Sequence, residues 1–441
     1  MSDYGQSQEQ SQQFGARLRE FVEPLLVELD RHLDRRLVGT FLKTLEAIVT
    51  FRHSVYGLLL SELGGYILTP EHAPAGTKRL GNLLRSNKWT GKLIEDFLWQ
   101  EASRQVEGAE GQGEAVYIGW DESVVEKAES IALEGLCAVR STTAARLKRI
   151  KPGFFSPPVG RPVFVPGMQW ISLLVLISNL PPVVAAMQWW TTRGQHASAR
   201  RDEEHTLLQR CWQSWGRRVI HIWDRGFASY RWLRQVLHYR LRFVVRWPKR
   251  FRLLNAKGEL LNAWKVTRGK RSMAHRDIWD SRRRCWRKTG IIFAPVKLPT
   301  FDDPLWLVVS RPGKGREPWY LLTNEPICSL DDAWQIVFAY ARRWQLETTF
   351  RYSKTELAME SPRLWFWDNR LKLMLMVTLV YAFLLSLLSL PQSLRAELLR
   401  HWCHRTGKRY RHASLPLYRF RAALSRLWAA YPPSLSYPTP G

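Results

Sequence analysis

The sequence predicts an α/β protein: a mixed sheet with flanking helices, a β-rich insertion, and helical regions at both ends. Three observations predict it. From about Phe14 to Glu107, apolar residues recur at helical spacing, as in the stripes Phe21, Leu25, Leu26, Leu29 and Val55, Leu58, Leu59, Leu63. Between Val116 and Trp247, short apolar runs of strand type alternate with helical segments, and two of those runs end in an aspartate. From about Pro248 to Pro318, short strands alternate with basic turns, after which helical patterning returns.

With 441 residues the chain is long enough for several domains and a sizeable core. Lys+Arg 66 against Asp+Glu 39 gives a net charge of +27. An excess spread from Arg17 to Arg426 points to a polyanion, nucleic acid by default, rather than to a membrane surface met by one basic amphipathic helix. The 22 tryptophans interleaved with this charge suit unstacked or distorted strands. Five scattered cysteines, with no CxxC pair, argue against a disulfide framework and a zinc ribbon and for a reducing compartment. His401, Cys403 and His404 lie together without a second ligand cluster, so zinc is not expected. The polar opening MSDYGQSQEQSQQ carries no secretory signal. Leu373–Leu390 is uncharged and long enough for a membrane helix, but Lys372, Thr378, Ser386, Ser389 and Pro391 favour a buried core helix.

The expected organisation follows the chain. Residues 1–12, Gln/Ser-rich, read as a disordered tail, and 13–110 as a helical N-terminal domain. Within it, Lys78–Ala102 reads as two helices around Ser86–Lys88. Lys78, Arg79, Arg85, Lys88 and Lys92 make either a DNA-reading helix-turn-helix or a solvated basic face. Residues 111–247 form the first part of a second domain: a strand from Val116 ending at Asp121, a basic excursion through Arg146 to Lys151, and strands at Trp170–Ile177 and Pro182–Trp189. A helix near Ala199–Trp215, the strand Val219–Ile222 ending at Asp224, a helix capped by Ser229 and the strand Arg242–Trp247 complete it. Residues 248–318 are the β-rich insertion, 319–390 the second part of the domain, and 391–441 a helical region with a proline-rich tail.

The stretch Trp319–Lys354 reads as a short strand, a turn and one long helix. Tyr340, Arg343, Glu347 and Lys354 fall at about 0°, −60°, −20° and −40° around that helix, on one face. Trp334, Val337, Phe338, Ala341 and Trp344 fill the neighbouring face. Asp121, Asp224 and Glu347 are therefore three acids at suggestive places. A carboxylate at the carboxyl end of a strand is where open α/β sheets place their sites. Hard oxygen ligands suit Mg²⁺, and paired ions activate a hydroxyl and stabilise a departing oxygen in phosphodiester cleavage.

These residues resemble the signature of the DDE transposases of bacterial insertion sequences, in the cut-and-paste branch marked Tyr-x2-Arg-x3-Glu-x6-Lys. Tyr340, Arg343, Glu347 and Lys354 match it, with WDES and WDRG supplying Asp121 and Asp224, over roughly Glu114 to Lys354. The resemblance implies an RNase H-like fold with a β-rich insertion between the second and third acids. Asp121, Asp224 and Glu347 would hold two Mg²⁺ ions, with Mn²⁺ able to substitute. It implies double-stranded DNA at terminal inverted repeats and target DNA as partners, a homodimer on paired ends, and a cytoplasmic, nucleoid-associated protein. Tyr340, Arg343 and Lys354 would hold phosphates. Trp319 matches the position of a tryptophan that holds a flipped base in relatives cutting through a DNA hairpin, and Trp344 matches another family aromatic. For Trp319 a plain core role stays open. So do two other functions: a structure-selective nuclease of the same fold, and a retired transposase kept as a DNA-binding protein.

Overall fold

A computed structural model describes residues 3–53, 56–127, 132–141, 162–280, 285–299, 301–313, 315–403 and 417–435. The basic residues Arg146, Lys148, Arg149 and Lys151, Arg282, Arg283 and Arg284, His404, and the proline-rich tail lie outside them.

Five helices open the chain: α1 (Asp3–Asp30), α2 (Arg35–Thr50), α3 (Leu60–Ile67), α4 (Ala73–Arg85) and α5 (Lys92–Gly111). The Gln/Ser-rich opening expected to be disordered is instead the first part of α1, because Ser11 is buried and its hydroxyl donates to the Tyr431 carbonyl. Helix α5 runs through Gly108 to Gly111, and the chain turns at Gly113, whose φ is +69°. The two helices expected in Lys78–Ala102 are α4 and α5. The basic side chains Lys78, Arg79, Arg85, Lys88 and Lys92 are exposed, whereas Trp89 in the connecting turn is buried and donates to the Leu83 carbonyl.

Twelve strands form one sheet, in the order β2-β3-β1-β5-β6-β12-β11-β10-β7-β8, with β4 on β3 and β9 on β10. They are β1 (Val116–Glu126), β2 (Cys137–Arg140), β3 (Phe164–Ile177), β4 (Val183–Trp190), β5 (Val219–Trp223), β6 (Arg242–Arg246), β7 (Arg252–Asn255), β8 (Leu260–Asn262), β9 (Ala274–Asp280), β10 (Cys285–Lys297), β11 (Leu305–Arg311) and β12 (Trp319–Thr323). Strands β1, β5 and β6 are parallel neighbours, and the remaining pairs are antiparallel. The insertion is β-rich as expected, but it is not set apart. Through β12 its strands extend the same sheet.

The remaining helices among the described residues are α6 (Arg200–Trp215), α7 (Tyr230–His238), the single turn α8 (Ala263–Val266), α9 (Leu330–Ala341), α10 (Trp344–Thr355), α11 (Trp367–Ser386), α12 (Gln392–Trp402) and α13 (Leu417–Ala430). Ser229 caps α7 through the Trp232 N–H, and a capping box of Ser329 and Asp332 starts α9.

Helix α11 is long and apolar enough to cross a membrane, yet it is buried inside the fold. It is the centre of one core that joins α1–α5, α10, α11 and α13 to one face of β3 and β4. Residues 13–110 thus share a core with the end of the chain. Buried cations fasten these parts: Lys372 donates to the carbonyls of Leu84 and Ser86, and Arg421 to those of Ile48, Phe51 and Glu356. A second core lies on the opposite sheet face under α6 and α7, and a third packs α9 on β5, β6, β11 and β12.

Candidate active site

The site is built from the register of three parallel strands. Val116 pairs with Val219 and Gly119 with Ile222, so Asp121 and Asp224 both stand five positions beyond the first pair. Side chains in register on parallel neighbours share a face, with strands about 4.8 Å apart. Continuing the pairing of Ile220 with Arg242 and Trp223 with Val245 places Arg246 beside Asp224 in the same row. The expected strand end at Asp121 is corrected. Strand β1 runs on to Glu126 because β3 keeps pairing with it, with Asp121 opposite Ser172. What ends near Asp121 is the parallel partner, since β5 stops at Trp223 and Asp224 turns to accept from the Gly226 N–H at 2.6 Å.

Gly119 explains how Glu347 reaches this row. A Cβ there would meet Leu346 Cδ1 at 2.6 Å and Leu176 Cδ1 at 3.0 Å. The bare strand lets the first turn of α10 settle two residues before Asp121, and Glu347 follows Leu346.

The single long helix expected from Trp334 to Lys354 is broken into α9 and α10 at Arg342–Arg343. Neither proline nor glycine marks the break. Arg342 is held by the end of β3, donating to the Ile177 carbonyl at 3.3 Å and the Ser178 hydroxyl at 2.7 Å, and its guanidinium lies 5.7 Å from the Tyr117 ring. The four signature residues therefore do not share one helical face. Arg343 donates to Asp121 Oδ2 at 2.5 Å and to Glu347 Oε1 at 2.6 Å, and lies 5.9 Å from the Tyr340 ring. Lys354 is elsewhere, 4.0 Å from Glu360. Tyr340 is buried and meets Trp319 edge-on at 5.1 Å, whereas Trp344 is 64% exposed.

Electrostatics tie the row together. Burial, opposed by Arg343 and reinforced by Asp224 and Glu347, pushes the Asp121 carboxyl up to about 6. Burial also raises the Tyr340 phenol, with Asp224 adding to the rise and Arg343 and Arg246 opposing it. Burial works against the Arg343 charge, but Tyr340, Asp121 and Glu347 outweigh it and hold the guanidinium above its ordinary value.

Sequence reasoning missed several residues here. Arg246 is the last residue of β6, at the carboxyl end of a strand parallel to β5, and that position was the available signal. Arg200 donates to Glu122 at 2.7 Å, to Glu204 at 2.9 Å and to the Gly226 carbonyl at 3.4 Å, so it links the residue after Asp121 to the Asp224 turn. No pattern in the sequence singled out that network. His221, on β5, accepts from the Trp120 indole at 3.0 Å, and burial lowers it to about 3, which keeps it neutral.

Among the described residues, no three His, Cys, Asp or Glu side chains stand close enough to hold an ion as they are arranged. Arg343 occupies the space between Asp121 and Glu347, and Asp224 is turned to its own loop. The donors nonetheless fit in kind. They are hard carboxylate oxygens on three separate elements, and two of them already share one cationic group.

No protein-family model matches the chain. Among solved structures the chain is similar to a piggyBac transposase in a synaptic complex with hairpin DNA, at 15% identity and a TM-score of 0.36, over 71% of this chain and 52% of that one. It thus spans about half the length of that relative.

Two outcomes follow from this geometry. Gly119→Val should displace Leu346 and lower stability by about 1–3 kcal/mol in thermal unfolding, as overpacking does. For Asp121 the folded pKa lies above the unfolded one, so folding binds the proton and stability falls as pH rises from about 4 through about 6. Denaturant titrations of Asp121→Asn should lose this slope, moving the variant's relative stability up by as much as about 3 kcal/mol between pH 4 and pH 7.

Proposed function

We propose that this chain is a DNA transposase of the DDE type, which cuts at the ends of a DNA element and joins them to a target. The observation that carries the reading is one row across parallel strands, Asp121 and Asp224, with Glu347 brought over it by α10 and linked to Asp121 through Arg343. When bound, a pair of Mg²⁺ ions would supply activation of a water or 3′-hydroxyl and neutralise the departing oxygen. Asp121, Asp224 and Glu347 would hold those ions, and Mn²⁺ would substitute.

The chain's own residues do the rest. Arg343 is a bidentate donor that a phosphate can claim from the carboxylates. In the DNA-free protein it neutralises Asp121 and Glu347. On DNA it moves to the backbone and frees their oxygens. Arg246 flanks the row from the other side and would grip a second phosphate, with Tyr340 beside it. Lys354, placed near Glu360, would meet the strand further from the cut. Exposed Trp344 and the half-buried Trp319, backed by Tyr340, would offer aromatic surface for a flipped base in a hairpin route, worth about 1–3 kcal/mol per stacked base. The partners would be terminal inverted repeats and target duplex, with two copies of the chain on paired ends.

The Arg343 bridge favours one rival, a DNA-binding protein in which the acids are only ion-pair partners. Glu347→Gln separates the two. It should bind end DNA as the wild type does and lose cleavage in Mg²⁺ by at least about a thousand-fold, on the scale of removing a transition-state charge stabiliser; undiminished cutting would remove Glu347 from the chemistry, and no cutting by either protein in Mg²⁺ or Mn²⁺ would favour the rival. A second test follows the guanidinium. Arg343→Gln should tighten Mn²⁺ binding in the absence of DNA by roughly ten-fold, read by electron paramagnetic resonance, since one competing contact of about 1.4 kcal/mol is removed. Equal affinity in both proteins would show that Arg343 does not compete for the acids.

A further inference from the structure

The strand pairing leaves one arm outside the main sheet. Strand β10 pairs with β11 from Gly290 onward, whereas Cys285–Thr289 pair only with β9, and β9 has no other partner. The segments Arg276–Asp280 and Cys285–Thr289 therefore make a two-stranded ribbon about 17 Å long by strand rise. Its base is anchored: Arg276 donates to Asp331 at 2.5 Å and lies 5.4 Å from the Trp334 ring on α9. Ala274 and Ile278 pack on the same core as Tyr340 and Trp334, so the ribbon rises from the sheet face that carries the candidate site.

Near the far end of the ribbon, Trp279 and Trp286 stand directly opposite each other with ring centroids 5.5 Å apart. They are 49% and 68% exposed. Two indoles on an arm with no sheet behind it form an apolar surface that the fold leaves uncovered. By strand alternation Lys288 shares the face of the two indoles, facing Asp277 across the ribbon, whereas Arg276 and Arg287 lie on the opposite face, where Arg276 meets Asp331 and Arg287 donates to the Pro312 carbonyl at 3.3 Å. A two-stranded ribbon has the width that a DNA major groove admits. Indole faces stack on bases regardless of sequence, but only where bases are unstacked.

We infer that this ribbon is a DNA-docking arm whose Trp279–Trp286 pair stacks on bases of a locally unpaired duplex, while Lys288, on the same face of the ribbon, holds a flanking phosphate. The inference rests on the DNA partner proposed above, and it adds a second contact remote from the acids. Charge decides the partner. A second copy of this chain would bring one protein of net charge +27 against another.

The experiment is a fluorescence-anisotropy titration of the full-length protein in EDTA against two synthetic duplexes. One is fully paired, and the other carries a central bubble of three mismatches. The wild type should prefer the bubble by at least about ten-fold, within the range of one to two stacked bases. The double variant Trp279→Ala/Trp286→Ala should lose most of that preference and keep its affinity for the paired duplex, with an unchanged melting temperature because both side chains are exposed. Trp279→Phe/Trp286→Phe should retain most of the preference. A wild type without preference, or an alanine variant that keeps it, overturns the arm. Loss of self-association by the alanine variant in sedimentation, with DNA preference unaltered, overturns it in favour of a copy-to-copy contact. Failure to bind either duplex overturns the arm and the transposase reading together, whereas failure of the arm alone leaves paired-duplex binding and Mg²⁺-dependent cleavage intact.

Discussion

Everything proposed for this chain depends on the parallel register between β1 and β5. The side-chain period of a strand is two, so a slip of one residue would turn Asp224 away from Asp121 and into the opposite core. That opposite face is what prevents the slip. Trp120 and Trp223 pack there with centroids 6.0 Å apart, each also against Trp232. These rings are too large to exchange places with a carboxylate. The same alternation that buries an indole on one side thus presents an acid on the other.

Charge then makes the row unstable by itself. Asp121 is held in a partly buried place beside Asp224 and Glu347, and burial and these like charges disfavour its ionised form. Arg343 offsets this from within the row. A guanidinium suits the task because its forked donors meet two carboxylates at once, as they would meet two phosphate oxygens. The residue that bridges the acids in the free protein is also the one best shaped for the phosphates of the proposed substrate.

Some of the local structure around the candidate site was legible in the sequence because short-range signals write it. Asp224 after an apolar run, Ser229 as a cap and the apolar length of α11 are local features, and the fold places them as read. What was not legible depends on contacts distant in the chain. The break at Arg342–Arg343 has no local breaker and is held by the end of β3, 165 positions away in sequence. Residues 1–12 looked disordered because their composition is polar, yet Ser11 finds a partner 420 positions later. Arg200 acts through residues on two other elements, and Gly119 matters only because Leu346 arrives above it. Helical arithmetic placed Lys354 with Arg343, and the change of axis at the break carried it away.

Helix α11 has a bearing on how the molecule comes into being. The first five helices bury their apolar stripes against it and against α13, segments that leave the ribosome hundreds of residues afterwards. Contacts of such sequence separation close slowly, because the intervening chain must be ordered first. The first five helices therefore wait for segments made much later. A prematurely terminated chain would display bare apolar helices, a natural substrate for chaperones and proteases rather than a partially active fragment.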